Sequence, residues 1–468
     1  MSANPRPTLI RQAAARLSRP QLGLAGALLL GLLGGALEVR KPSDAAIVCV
    51  AIVSVVALAT LGDRAFPWAI VMVAVAPWYP FIAEAAEPPI VRQKVLCAAI
   101  AAAPLAPWLW SLALGDRRTR PSRSTLLMGV LFAGLTILIY ETLGNISSMI
   151  ESGVVGYLFA GVTFLCARRF SQGQAWLAAA FGGLLILCLL GAAAYIQDPS
   201  NRIGYFVGYP ITYGALVVGL LPAGMLYAYR RSRLLAGALA GTAGTLLIFS
   251  ESRSSWVAST AVVIVVVVVQ ARAGNFRALG AVAAVVVVLA GLIASTGSLQ
   301  HIVEQKLSSK VLTSQSVTHR QWSYSYALET IGNRPIFGAG APGFSARESA
   351  SKTTIGAIDN GYVSITVDLG LFGLVAAMIP IAVAFWALGR CLRYRVTPAY
   401  ELALALGIIG MAFVALFYDS FYWAQIDLLL GGLGGVLSAR AGGIGEAASP
   451  RRRVARARRR RVRFTLAS

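Results

Sequence analysis

The chain has 468 residues, of which 57% are hydrophobic and 13% charged, with a net charge of +22. Soluble domains carry about 25% charged residues, so these values, with a mean hydropathy of +0.70, exclude an ordinary soluble enzyme. Two histidines exclude a histidine-rich metal site, and the five cysteines (Cys49, Cys97, Cys166, Cys188 and Cys391) show no metal-ligand spacing. Four of these cysteines lie in apolar runs and Cys391 in a basic loop, so free thiols are expected, without disulfide or structural zinc.

Residues 1–20 carry Arg6, Arg11, Arg16 and Arg19 ahead of the first apolar run. No small-residue cleavage site follows, so this run is read as a retained helix and 1–20 as a cytoplasmic segment. Apolar runs long enough to cross a bilayer then recur about fourteen times, or about twelve if two short ones are re-entrant. The first eleven, within 21–296, cover 21–37, 44–61, 66–84, 95–114, 125–140, 152–167, 174–195, 208–228, 234–249, 255–270 and 278–296. A hydrophilic loop occupies 297–358. Three more spans follow within 359–440, at 360–387, 401–418 and 424–439, and 441–468 is a basic tail. The expected fold is all-α, a polytopic transmembrane helical bundle.

The arginines test this threading. With the N-terminus inside, the inner loops hold Arg117 and Arg118, Arg168 and Arg169, then Arg230, Arg231 and Arg233. Arg272 and Arg277, then Arg390, Arg393 and Arg395, continue the series, as the positive-inside rule requires. Nine arginines between Arg451 and Arg463 end it. Such a tail suits anionic membrane lipids on the cytoplasmic face and calls for no nucleic acid.

Four outer segments are more than connectors: "QDPSNRIGYFVGYP" (197–210), "SESRSS" (250–255), the 297–358 loop and "YDSFYWAQ" (418–425). The loop exceeds the usual connection length, which favours a functional role. Within it, 301–312 and 320–332 are expected to be helical, the second with Tyr324, Ala327, Leu328 and Ile331 on one face. Pro335 ends that helix. Gly338, Gly340 and Gly343 match G-x-G-x-x-G, but no βαβ unit surrounds them, which excludes a dinucleotide site. They instead allow a tight turn against a neighbouring backbone.

"SRSSW", "HRQWSYSYALETIGNRPIFGAGAPGF" and "DNGYVSITVDLGLFGL", in that order around a long outer loop, resemble the O-antigen ligase/polymerase superfamily. The resemblance covers about residues 195–440. It implies a metal-independent multi-span (GT-C) glycosyltransferase without cofactor, in the bacterial inner membrane with its site facing outside. The implied donor is a polyprenyl-pyrophosphate-linked glycan and the acceptor a glycan or lipid. Partner proteins of polysaccharide assembly fit the same picture. In such families, arginines at the places of Arg253 and Arg320 contact pyrophosphate, and another often stands near Arg202. Ligases usually carry His-Asn where this chain has Asp359 and Asn360, and the acid looks more like the exopolysaccharide polymerase branch.

The residue types suit that chemistry. Charge builds on the departing phosphate, and arginine grips two oxygens at once. Ser252 and Ser254 can donate hydrogen bonds beside Arg253, and Glu251 can orient its guanidinium. The bland reading of Arg253 is a snorkelling side chain paired with Glu251. For Arg320 it is a solvated charge, and for Arg202 a turn arginine near Asp198. Acceptor activation needs a base, for which Asp359 is the first candidate and His319 the second. Asp359 could instead be the helix N-cap, with Asn360 beside it against the substrate. Tyr205, Tyr209, Trp322 and Tyr362 could stack on sugars or anchor at the membrane interface. Asp368, inside a span, reads as a helix-packing or tunnel residue. The rival classes are an O-antigen-type ligase and a flippase for a lipid-linked glycan. A flippase would need polarity through the bilayer rather than at one face.

Overall fold

The computed structural model describes residues 65–76, 155–169, 173–199, 201–295, 297, 300, 315–339, 358–419, 421, 423–441 and 444. The spans expected at 21–37, 44–61, 95–114 and 125–140, the helix expected at 301–312 and nearly all of the basic tail lie outside them. Among the described residues the regular structure is entirely helical. The helices are α1 (Ala65–Val75), α2 (Val155–Arg169), α3 (Gly173–Gln197), α4 (Pro210–Arg231), α5 (Arg233–Phe249) and α6 (Arg253–Arg272). They continue with α7 (Phe276–Ser295), α8 (Gln315–Asn333), α9 (Gly361–Tyr394), α10 (Ala399–Ala415) and α11 (Ala424–Ala441). Four of them, α3, α4, α6 and α9, are long and apolar enough to cross a membrane.

Helix starts follow local chemistry. Pro210 sits in the first turn of α4, where its missing N–H costs nothing. The Ser232 side chain accepts from the Leu235 amide to cap α5. Short turns at 232, 250–252, 273–275 and 395–398 make successive helices antiparallel, so the chain alternates between two ends of the bundle. One end collects Arg168, Arg230, Arg231, Arg233, Arg272, Arg277, Arg390, Arg393, Arg395 and Arg440. The other collects the 198–209 loop, the 250–252 turn, α8, the start of α9 and the α10–α11 connection. Cys391 lies in the last turns of α9 and is buried, not in a loop, because α9 runs past the first basic residues of that end.

Lipid tails are as apolar as leucine, so helices in a membrane associate through close packing of small residues. The α2–α11 contact is of this kind. A Cβ at Gly431 would collide with the Ala160 carbonyl, and one at Gly435 with the Phe164 carbonyl.

The run expected as one span at 360–387 is broken. Gly370 has φ 64° and ψ −162° and interrupts the helical ladder of α9. The residues just after α8 complete it. The Ala339 amide donates to the Val367 carbonyl (2.7 Å), Leu371 to Pro335 (2.8 Å) and Phe372 to Ile336 (3.2 Å). Gly338, at φ 71°, faces Gly370 so closely that a Cβ on either would strike the other segment's backbone. This is the close backbone approach expected of Gly338. A continuous helix would hold Gly361 and Ala376 about 22 Å apart. Here Phe421 packs on Gly361 and lines the same apolar cleft as Ala376 and Pro380, so one side chain links both halves of α9. Gly370→Ala adds both a clash and a strained φ. We expect it to cost roughly 2–4 kcal/mol, read as a lowered unfolding midpoint in detergent; an unchanged midpoint would show that the break tolerates a side chain.

Helix α8 packs on the N-terminal half of α9 through Ala327, Ile358 and Val367, with Ile331 and Val363 against them. Its buried face is Ser323, Ala327 and Thr330, whereas Leu328 is 67% exposed. The expected face, which included Leu328, is thus rotated. Small and polar residues turn inward because α9 comes close there.

Candidate functional site

Each of the outer segments singled out in the sequence contributes to one end of the bundle. The Ile203 amide donates to the Phe249 carbonyl (3.3 Å), which joins the 198–209 loop to the α5–α6 turn. Tyr209 stacks on Tyr418 with ring centroids 5.8 Å apart and planes within 10°. The buried Gln425 amide donates to the Val207 carbonyl at 2.8 Å, tying the loop to α11. The Gly361 amide donates to the Tyr418 carbonyl (3.2 Å), which brings in the start of α9.

Arg202 reaches the α5–α6 turn instead of staying beside Asp198. Its Nε donates to the Ser250 carbonyl (3.2 Å) and its Nη2 to the Glu251 carbonyl (3.3 Å). The same Nε lies 3.8 Å from a Glu251 carboxylate oxygen, and the guanidinium sits over the Tyr209 ring at 5.9 Å. Tyr205 meets Tyr209 edge to face. Glu251 therefore has Arg202 as an ion-pair partner.

Arg253 is the first residue of α6 and is exposed. The serines around it turn inward. Ser252 Oγ lies 3.2 Å from Ser254 Oγ and 2.7 Å from Ser255 Oγ, and all three residues are buried. They fit because Gly214 of α4 leaves room; a Cβ there would strike Ser255. The Trp256 indole N–H donates to the Leu247 carbonyl at 3.0 Å, bracing the turn from its far side.

At the start of α9, Asn360 makes the N-cap. Its Oδ1 accepts from the amides of Tyr362 (3.0 Å) and Val363 (3.1 Å). Asp359 stands one residue earlier, half-buried, so the helix start does not depend on its carboxylate for the cap. The Tyr362 hydroxyl donates to the Ala412 carbonyl (2.9 Å), which gives it an anchoring contact inside the bundle. Asp368 lies two residues before the break, with its backbone carbonyl against Gly338. His319, Arg320 and Trp322 lie on α8 at this end; their side chains are outside the described residues.

Sequence reasoning did not single out Asp419, which accepts from the Ser364 hydroxyl at 2.9 Å, one turn into α9. It also missed the pairing of Tyr418 with Tyr209. The Trp423 indole N–H donates to the Tyr418 hydroxyl at 2.6 Å. Burial pushes the Tyr418 phenol well above its usual pKa, so it stays neutral at ordinary pH. The signal for both residues was the polar, aromatic string 418–425 between two apolar helices.

A family model described as O-antigen ligase matches residues 238–378. That stretch runs from α5 to just past the break in α9. It holds Arg253, Arg320 and Asp359 and is narrower than the resemblance read over 195–440. Arg202 and Asp419 lie outside it. No curated protein matches the chain. Over 238–378 the chain is thus similar to the O-antigen ligase family, which supports the superfamily resemblance, and its long apolar helices mark an integral membrane protein.

Proposed function

We propose that the chain polymerises a cell-surface polysaccharide, moving a glycan from a polyprenyl-pyrophosphate donor to a sugar hydroxyl at the outer face of a bacterial inner membrane. In this reading the acceptor oxygen attacks the anomeric carbon. The bond from that carbon to the phosphate oxygen breaks, and polyprenyl pyrophosphate departs. Asp359 takes the hydroxyl proton, and Arg253 and Arg320 neutralise the growing phosphate charge, so no metal is required. His319 is the reserve base, while Trp322, Asn360 and Tyr205 border the acceptor side.

The observation that carries the reading is the capping of α9 by Asn360, so that the carboxylate of Asp359, next to it at the mouth of the site, is not the N-cap. The acid at 359 also favours a polymerase over a ligase, since ligases of this superfamily resemble one another in carrying histidine there. Purified protein in liposomes, given a lipid-linked repeat unit, should lengthen it into a ladder of products. One transfer to a separate lipid acceptor would instead mark a ligase, and movement of the donor across the bilayer without a new bond would mark a flippase.

Orientation follows from the basic end, which the positive-inside rule assigns to the cytoplasm. Reporters fused after Arg320 and after Ser468 should fall on opposite sides of the membrane. The same side for both would end this topology.

A further inference from the structure

Glu251 has φ 54°, in the left-handed region that residues with a side chain rarely adopt. Arg395 shares this property among the described residues, but it occupies a helix C-terminus, where left-handed geometry is commonplace. Glu251 is different. It lies in a three-residue turn between two apolar helices, immediately ahead of the helix that begins with Arg253. The direction of α6 and of its first side chain depends on this turn keeping its strained shape.

Besides the bonds within the turn, a guanidinium 48 residues away in sequence from Ser250 grips it. Arg202 donates to the carbonyls of the two peptide units that flank the Glu251 Cα and stands against the Glu251 carboxylate. Its flat face rests near Tyr209. The Nε–Nη2 edge of the guanidinium is thus committed to protein oxygens. Arginine suits this clamp because its planar fork spans two oxygens at fixed spacing, which a lysine ammonium cannot do.

We propose that Arg202 is a positioning residue, holding Glu251 in the left-handed conformation so that α6 presents Arg253 to the pyrophosphate, rather than a third arginine on the donor itself. This rests on the transferase reading above, so its test has one readout that needs no activity.

The variants are Arg202→Leu, Glu251→Gly and the two combined, in the full chain reconstituted in nanodiscs. Glycine adopts positive φ freely, so Glu251→Gly removes the strain that Arg202 opposes. Hydrogen exchange of peptides spanning 246–256 reports the turn directly. Arg202→Leu should speed exchange there about tenfold or more and lower kcat about tenfold, with the donor KM within about twofold of the parent. Glu251→Gly, which also deletes the carboxylate paired with Arg202, should keep slow exchange and sets the kcat reference for the combined variant. The combined variant should return to slow exchange and to within about threefold of the Glu251→Gly kcat. A purely bulk structural role would not be rescued by a glycine 49 residues away.

The proposal is overturned if exchange in Arg202→Leu equals that of the parent, if the combined variant is as impaired as Arg202→Leu, or if the donor KM rises while kcat holds. The last result would put Arg202 on the donor. If Arg202→Leu does not fold, Arg202→Lys carries the same comparison, because its ammonium reaches one carbonyl at a time. A parent protein that transfers no glycan sinks the transferase reading, and the exchange pattern alone then decides the role of Arg202.

Discussion

Asp359→Asn is expected to yield a folded protein that no longer transfers its glycan. The substitution keeps the shape of the side chain and removes its ability to take a proton. Helix α9 should be indifferent to it, because the Asn360 side chain occupies the amides of Tyr362 and Val363. The packing of Ile358 against Ala327 and Val367 is likewise untouched. A general base contributes roughly 10²–10⁴ in rate, so turnover should fall by about that factor while donor affinity and unfolding midpoint stay parental. The measurement is product-ladder formation in liposomes beside a thermal melt of the same preparation. Near-normal turnover would remove Asp359 from the chemistry and direct attention to His319. Asn360→Ala is the complementary change: it removes the cap and should lower stability by about 1 kcal/mol.

Arg253→Lys keeps the charge and is still expected to lose turnover. If Arg253 and Arg320 grip the departing pyrophosphate together, the contact strengthens as the glycosidic bond breaks and phosphate charge grows. An ammonium offers a point charge where the guanidinium offers a fork. Loss of one such contact is worth about 2–4 kcal/mol, a rate drop of roughly thirty- to a thousandfold. The loss should appear in kcat more than in the donor KM. Stability should change little, since Arg253 is exposed at the start of α6. Full activity in Arg253→Lys would return Arg253 to a snorkelling charge at the membrane boundary.

Apolar length made the helices among the described residues legible. The reading of 174–195 became Gly173–Gln197, and 234–249 became Arg233–Phe249. Hydrophobic periodicity is a local property, and these helices obey it. The start of α9 was legible to within one residue: both Asp and Asn cap helices well, and which one does so depends on chain entry geometry that sequence does not carry. The break at Gly370 was hidden. "VDLGLFGL" stays apolar across it, and its hydrogen-bond partners belong to Pro335, Ile336 and Ala339, about thirty residues upstream. The Gly338 turn was readable as a close backbone approach, but nothing in the sequence named the backbone it would approach. In the site, Arg253 and Asp359 stood out as polar residues at span mouths. The actual partners of Arg202 and Tyr209 are set by contacts across the bundle, for which local sequence has no signal. Gln425 and Val207, 218 residues apart, are the extreme case.

The stitched break in α9 has a consequence for biogenesis. An amide left without a partner in hydrocarbon costs several kcal/mol, and Leu371 and Phe372 find theirs on a segment made earlier by the ribosome. By the time these two amides are synthesised, the carbonyls of Pro335 and Ile336 already exist. If that segment has been exported with its loop, it can receive the new helix as it enters the bilayer. Residues 335–339 thus act as a template laid down in advance, and the later helix finishes folding only when it meets it. A chain in which export of the loop is delayed would hold an open ladder at 370–372, and quality-control proteases of the membrane would meet it in that state.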